Sequence, residues 1–114
     1  MEYTIDYFIA KFKAIPRKHW IIGMLNDDKG RHCALGHCGA VVTSNDTEES
    51  IALCGIFSSA GTIVVDINDD EYGDLRHLGR SSKTRVISAL TLIKAGKAHL
   101  ITEPQKEHTD GIHS

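Results

Sequence analysis

The sequence predicts a mainly α-helical fold with four helices and at most a small two-stranded β element, and it leaves an α+β fold open. Two observations support this prediction. Apolar residues recur at helical spacing in several segments, and only one short segment is rich in β-branched residues. The length of 114 residues and the hydrophobic content of 41% are sufficient for one domain with its own core. We therefore expect residues 1–96 to form a single globular domain and residues 97–114 to form a polar C-terminal tail.

The first two predicted helices lie on either side of a polar turn. In residues 5–15, apolar residues recur every three or four positions, and Pro16 ends the pattern. After the turn at residues 28–30, we expect a second helix over about residues 32–42. Gly36 lies within it, where the missing side chain lets a neighbouring segment approach closely.

The second half of the chain predicts two more helices and one strand. Residues 46–61 begin with acidic residues, which favour a helix N-terminus, and continue with an apolar stripe. Residues 62–67 are mostly β-branched and form the best strand candidate, with residues 21–22 or 99–101 as its partner. After a polar loop, a serine caps the last helix, over residues 81–96.

The charge, the apolar runs and the number of cysteines limit the classes of function that we expect. A formal net charge of -2 provides no basic surface, so we expect no nucleic-acid partner. No apolar run approaches the roughly 18 residues that a membrane span needs, and the first residues lack the features of a signal peptide. Three cysteines are an odd number, which argues against a disulfide framework and for a reducing compartment. We therefore expect a cytoplasmic protein without membrane contact.

Residues 30–38, with the sequence GRHCALGHC, contain two thiols and two imidazoles. If Arg31 or His32 begins a helix, Cys33 lies in its first turn, where amide dipoles favour a thiolate and lower the pKa of a cysteine. His37 follows four residues later, on the same helical face. A thiol beside an imidazole is a starting point for a nucleophilic site, a metal site or a polar ligand pocket.

Two of these interpretations use the thiol directly. In a thiol-dependent hydrolase or transferase, Cys33 is the nucleophile and the base is His37, His32 or His99. Asn68 or Asp69 orients the base. In a metal site, Cys33, His37 and Cys38 are ligands of zinc, and Cys54 or a further histidine is the fourth ligand, although structural zinc sites usually have cysteines two to four residues apart. We expect no cofactor, and zinc is the alternative.

The third interpretation is a pocket without catalysis. Arg31, His32 and Cys33 lie at the predicted helix start, and Asn68 and Asp69 lie at the end of the predicted strand. Free backbone amides at a helix start suit an anion. Positive charge for the ligand would come from side chains of both regions, namely Arg31, His32, Arg80, Lys83 and Arg85. The ligand of such a pocket is a small polar molecule, including phosphorylated or nucleotide-like compounds.

An acidic stretch between Asp66 and Asp74 imitates a calcium-binding loop, because oxygen-bearing side chains alternate along it. However, Glu71 occupies the position where such a loop needs glycine, and His77 replaces the bidentate glutamate. The pattern therefore favours a solvated acidic loop over a calcium site.

Several short motifs occur in a recognisable order along the chain. They are Trp20 with Gly23, the run Gly30-x-x-Cys33-Ala34-Leu35-Gly36, the pair Asn68-Asp69, and a capped helix that begins Ser-Lys-Thr-Arg-Val. This order resembles a family of small bacterial and phage proteins that is a domain of unknown function. The resemblance covers about residues 5–95, but Ile67 stands where the family commonly has an aromatic residue, and the following loop is longer. It implies a shared cysteine and Asn-Asp locus and, with the small size, a role in the conflict between phage and host.

We therefore predict a small non-catalytic binding or regulatory module of bacterial or phage origin that engages a protein partner or a small polar ligand. One alternative is a thiol hydrolase or transferase that depends on Cys33, and the other is a protein with a structural zinc site of cysteine and histidine. The sequence also allows a homo-oligomer.

Overall fold

The computed structural model describes residues 2–41 and 47–102. These residues form the α-helices α1 (Ile5–Ala14), α2 (Ala34–His37), α3 (Glu48–Ser59), α4 (Val64–Asp69), α5 (Ser82–Lys94) and α6 (His99–Thr102), with 3₁₀ turns at Arg17–His19 and Arg76–Leu78. The described ranges contain isolated β-bridges from His32 to Trp20 and to Asn26, but no strand. The prediction of a mainly helical fold is confirmed. The prediction of four helices with a small β element is not, because six helices and no strand are found in these ranges. None of these helices combines the length and apolarity that a membrane crossing requires.

The core forms where α1 and α4 pack against α5. Phe8 and Phe12 of α1 are fully buried and stack with their ring centroids 5.9 Å apart. The ring of Trp20 meets Phe12 edge-on at 5.3 Å. Val86 and Leu90, one helical turn apart on α5, are also fully buried. Each of these side chains stabilises the fold by about 1.5–3 kcal/mol relative to exposure to water.

Helices α1, α3 and α5 confirm three of the predicted helical segments, and each begins at a hydroxyl cap. The side-chain oxygens of Thr4, Thr47 and Ser81 accept a backbone N–H from three residues further on, at 3.1, 3.0 and 3.1 Å. Such a cap contributes about 1 kcal/mol to helix stability. Residues 42–46, which include the predicted end of the second helix and Asp46, lie outside the described ranges.

The predicted strand over residues 62–67 is wrong, because this segment forms α4. Val64, Ile67 and Asn68 are 2%, 1% and 1% exposed, and their spacing of three and four residues buries one face of a helix. Burial against α5 outweighs the β preference of branched side chains, which is a weak and context-dependent effect. Residues 99–101, one of the expected strand partners, belong to α6.

The second helix is much shorter than the predicted range of residues 32–42, because α2 contains only Ala34–His37. Cys33 is its N-cap in extended conformation, so it precedes the helix instead of lying in the first turn. Gly39 has φ +91°, a left-handed conformation that follows the end of the helix. The expected close approach at Gly36 is confirmed, since a Cβ there would lie 2.2 Å from the Leu25 carbonyl oxygen.

The core continues past Gly96 into α6. Ile101 is 1% exposed and packs within the hydrophobic core. The His77 imidazole donates from Nε2 to the Ile101 carbonyl at 2.7 Å, which ties α6 to the second 3₁₀ turn. The remainder of the predicted polar tail, from residue 103 onward, lies outside the described residues.

Asn68 joins three segments of the chain through its buried side-chain amide. Its Oδ1 accepts the backbone N–H of Ala34 at 3.0 Å, at the beginning of α2. Its Nδ2 donates to the Ile21 carbonyl at 3.0 Å and to Asp69 Oδ1 at 2.8 Å. One side chain therefore holds α4, the start of α2 and the segment after the first 3₁₀ turn together.

Asn68→Ala is expected to lower the free energy of unfolding by about 2–4 kcal/mol, because it leaves the Ala34 N–H and the Ile21 carbonyl without partners in the interior. Urea denaturation followed by circular dichroism measures this change. The matched control is Asp66→Ala, which changes an exposed residue of the same helix and should alter stability by less than about 0.5 kcal/mol. Equal effects of the two substitutions would contradict a bridging role for Asn68.

Candidate functional site

A groove with a volume of about 970 Å³ lies beside the C-terminus of α4 and the N-terminus of α5. This volume is in the range of small-molecule sites in proteins. Its lining combines guanidinium groups, carboxylates, hydroxyls and a few apolar side chains, and we call it the arginine groove. The lining residues are Arg17, Trp20, Ile21, Ile22, Arg31, Asp69, Asp70, Glu71, Tyr72, Gly73, Arg76, Arg80, Ser81, Ser82 and Arg85.

Positive charge predominates in the arginine groove. Five arginines line it against three carboxylates, an excess of two positive charges in a chain whose formal net charge is -2. Arg17, Arg76 and Arg80 are exposed, and none of them takes part in a salt bridge within the described residues. These three guanidinium groups are therefore available to an anion from solvent.

Arg85 differs from the other arginines because it is only 5% exposed and forms four hydrogen bonds to backbone carbonyls. It donates from Nε to the Ile67 carbonyl at 2.9 Å and from Nη2 to the Asn68 carbonyl at 2.6 Å. From Nη1 it donates to the Arg80 and Gly79 carbonyls, at 3.0 and 3.4 Å. Burial lowers the pKa of Arg85, whereas the charges of Asp70 and Asp69 raise it. Arg85 therefore positions the walls of the groove, and four of its five N–H donors are occupied by backbone carbonyls.

Arg31 is held on the groove by the turn that precedes it. Asp27 Oδ1 accepts the backbone N–H groups of Lys29 and Arg31, at 3.0 and 2.7 Å. Asp27 Oδ2 accepts Arg31 Nε at 2.5 Å. Arg31 therefore already has a carboxylate partner and supplies less free charge than the exposed arginines.

The carboxylates of the groove are positioned by the loop that follows α4. Asp70 adopts a left-handed conformation with φ +46°, which aspartate tolerates better than most residues. Its Oδ1 accepts the Leu75 backbone N–H at 3.0 Å and so closes the loop. Asp69 accepts a hydrogen bond from Asn68, as described above. Two of the three carboxylates therefore have protein donors.

The structure brings together only part of the predicted ligand pocket. Arg31 and Asp69 line the arginine groove, as the pocket interpretation requires. Asn68 lies in the interior next to it and supports its wall, whereas His32 and Cys33 do not line it. Of the residues expected to supply counter-charge, Arg80 and Arg85 also line the groove, whereas Lys83 does not. The predicted pocket and the observed groove therefore overlap at four positions.

Sequence reasoning missed most of the groove. Arg17 and Tyr72 belong to distant parts of the chain, and nothing in their local pattern connects them. Arg76 was also missed, although it lies four residues before Arg80, which the pocket hypothesis did include, and this density of arginines before a capped helix was the available signal.

Cys33 is enclosed in the interior of the protein. It is 4% exposed, and burial raises its pKa, although the backbone amides of Gly36 and Leu35 act in the opposite direction. The expectation of a lowered pKa for Cys33 is therefore wrong, because desolvation outweighs the amides. Within residues 2–41 and 47–102, no hydrogen bond joins the Cys33 thiol to the His37 imidazole.

His37 lies among aromatic and imidazole rings. Its ring centroid is 4.7 Å from Trp20 and 5.1 Å from His32. Burial, followed by the charge of His32, lowers the pKa of His37 to about 4. Its Nε2 is enclosed and has no hydrogen-bond partner, whereas a hydrogen bond with the His19 backbone acts on the pKa in the opposite direction to burial. The imidazole is therefore neutral at pH 7.

The predicted metal ligands are also not gathered at one point. No group of three or more His, Cys, Asp or Glu side chains in the described residues is placed to hold a metal ion, and this includes Cys33, His37 and Cys38. Burial and the Glu49 carboxylate raise the pKa of Cys38 to about 12, which disfavours the thiolate that zinc needs. The calcium interpretation has no support either, because Asn68 of the acidic stretch is buried.

The chain matches no family model, no curated protein and no solved structure. The resemblance to small bacterial and phage proteins and the role in phage–host conflict therefore stay predictions. The side chains that line the arginine groove are therefore the basis for any function assigned to it.

Cys33 should react slowly with iodoacetamide at pH 7, because the thiolate is disfavoured and the side chain is enclosed. Cys54 is exposed and is an internal control within the same molecule. Peptide mapping by mass spectrometry should find Cys54 labelled at least about 100 times faster than Cys33, with the difference lost in urea. A Cys33 that reacts faster than Cys54 would support the thiol enzyme instead.

Protonation of His37 should make the protein less stable in mild acid. Because the pKa of His37 in the folded state, about 4, lies below its ordinary value of 6.5, the unfolded chain takes up the proton first as pH falls. The stability is complete above pH 6.5 and is lost between pH 6.5 and pH 4, with a decrease of about 2 kcal/mol from pH 7.5 to pH 5.

Urea denaturation at pH 7.5 and pH 5 measures this difference. His37→Gln should remove most of it, whereas His99→Gln, an exposed histidine on α6, should keep it. If wild type and His37→Gln show the same pH dependence, His37 is not its source.

Proposed function

We propose that this chain is a small non-catalytic binding module whose ligand is a small polar anion held in the arginine groove. The observation that supports this most directly is the concentration of five arginines around one groove in a chain with a formal net charge of -2. Like charges repel one another, so such a cluster on an otherwise acidic chain favours a ligand that neutralises it.

The walls of the groove are fixed before a ligand arrives. Arg85 ties the turn before α5 to the end of α4, and Asn68 ties that same end to α2. Asp27 fixes Arg31. A site that is already ordered does not lose conformational entropy on binding, which improves affinity for a small ligand. The exposed arginines can then form paired, charge-assisted hydrogen bonds with the anion.

The absence of catalysis in this proposal is supported by the positions of the thiols. None of the three cysteines lines the groove, and burial raises the pKa of Cys33. The groove also has no imidazole among its lining residues. A nucleophile and a base of the kind that thiol hydrolases need are therefore not found there, within the described residues.

We favour a small anion over a nucleic acid or an acidic protein. The excess of two positive charges is local, whereas the whole chain has a formal net charge of -2. Binding of a long polyanion needs an extended basic surface, and a chain with this net charge does not have the excess of Lys and Arg that supplies one. The proposal also includes a regulatory role, a cytoplasmic location and the option of a homo-oligomer. The three free thiols are compatible with a reducing compartment.

Calorimetric titration with adenosine monophosphate and with citrate tests the proposal. Arg80→Gln should weaken the binding of either anion by about tenfold, because it removes a charge-assisted hydrogen bond. Lys97→Gln removes the same charge from an exposed position that does not line the groove, and it should leave the affinity nearly unchanged.

Two results would contradict the proposal. One is the absence of binding heat for both anions, and the other is an equal loss of affinity in Arg80→Gln and Lys97→Gln. A phosphorus NMR spectrum of adenosine monophosphate after incubation with the protein should stay unchanged, and release of inorganic phosphate would indicate an enzyme.

A further inference from the structure

We infer that the anion is the phosphoryl group of a phosphate monoester, and that the first turn of α5 is the subsite that anchors it. This inference rests on the proposed function, since it names the ligand class of the same arginine groove. It depends on Ser82, on the backbone amides that follow it, and on the arginines of the preceding turn.

Ser82 is the unusual residue of this subsite. It is only 6% exposed, and it lines the arginine groove. Its hydroxyl forms no hydrogen bond with the described residues, in contrast to Ser81, which is bonded to Thr84. Among the described residues, side-chain atoms that are both enclosed and without a hydrogen-bond partner belong to Trp20 and His37. The Ser82 hydroxyl also has no partner but is not enclosed, so it reaches the groove. A buried serine with a free hydroxyl on a charged groove is a ready hydrogen-bond donor for an anion.

The backbone of α5 adds further donors at the same place. In the first turn of an α-helix, the N–H groups have no acceptor within the helix. Ser81 Oγ satisfies the N–H of Thr84, which leaves those of Ser82 and Lys83 for another acceptor. Since α5 extends over Ser82–Lys94, its dipole places a partial positive charge at this end. Together, the hydroxyl, the amides and the dipole form an anion site.

The arginines around this helix end match the charge of a phosphoryl dianion. Arg76 and Arg80 are exposed, line the groove and precede α5 directly. Arg85 holds the Arg80 carbonyl at 3.0 Å and so fixes the turn from which Arg80 projects. The carboxylates of the groove lie at and after the end of α4, with Asp69 as its last residue. The Arg85 guanidinium is hydrogen-bonded to the Asn68 carbonyl, which precedes Asp69, and to the Arg80 carbonyl before α5. It therefore lies between the two groups of opposite charge.

The donor arrangement and the size of the groove select the ligand class. A phosphoryl group presents three acceptor oxygens and a charge of about -1.5 to -2 at pH 7, whereas a carboxylate presents two coplanar oxygens and a single charge. A groove of about 970 Å³ also exceeds what a phosphate ion fills. An ester with an organic group that extends toward Tyr72 and the carboxylates therefore fits better than the free ion.

The test is an amide NMR titration of the full chain at pH 7.5 with ribose 5-phosphate, inorganic phosphate and citrate. Ribose 5-phosphate should move the amide resonances of Ser82 and Lys83 more than any others. Ser82→Ala removes the hydroxyl and should weaken the binding of ribose 5-phosphate by about tenfold. Ser82→Pro also removes an amide donor at a helix position that accepts proline, and it should weaken binding by about a hundredfold.

Ser58→Ala changes an exposed serine on α3, away from the groove, and is the matched control that should bind as wild type does. If Ser82→Pro does not fold, the wild-type amide shifts and Ser82→Ala still decide the question. Binding of inorganic phosphate as tight as that of the ester would overturn the assignment of a monoester. Anion binding that leaves the Ser82 and Lys83 amides unmoved would overturn the subsite but keep the proposed function, and no binding of any of the three anions would overturn both.

Discussion

The constraint on which this structure depends is that the buried C-terminal end of α4 must find hydrogen-bond donors. Helix ends leave carbonyl groups without partners, and a buried carbonyl without a donor is costly. Arg85 meets this requirement by donating to the Ile67 and Asn68 carbonyls. The amide of Asn68 then connects the same end to Ala34 and Ile21. These two polar side chains thus join α4 to α5, to α2 and to the segment after the first 3₁₀ turn.

The arginine groove follows from this arrangement. Because Arg85 also donates to the carbonyls of Gly79 and Arg80, the network that closes the interior also fixes the turn before α5. The exposed arginines are attached to that rigid frame and are not needed to hold it. Different residues therefore maintain the fold and present charge at the candidate site. Arg85 and Asn68 lie in the interior, and Arg80 and Arg76 lie at the surface. Surface charges can change ligand binding without loss of the fold.

The thiol and imidazole segment shows how strongly burial alters local chemistry. Its spacing favours a reactive thiol, and the amides at the start of α2 do act in that direction on Cys33. Desolvation is the larger effect, and it raises the pKa of Cys33 and lowers that of His37. The segment with the densest functional groups in the sequence therefore belongs mainly to the interior, where its members serve packing.

The sequence by itself determined the helices whose caps and apolar spacing depend on residues close together in the chain. Thr4, Thr47 and Ser81 cap helices through contacts three residues away, and the helical periodicity of α1, α3 and α5 is equally local. Only the tertiary structure decided the features that depend on contacts between residues far apart in the chain. Packing on α5 makes residues 64–69 a helix despite their β-branched side chains, and burial raises the pKa of Cys33, which its position near a helix start was expected to lower. The groove likewise needs Arg17 and Arg80 to line the same cavity, an arrangement that folding creates and that no local pattern encodes.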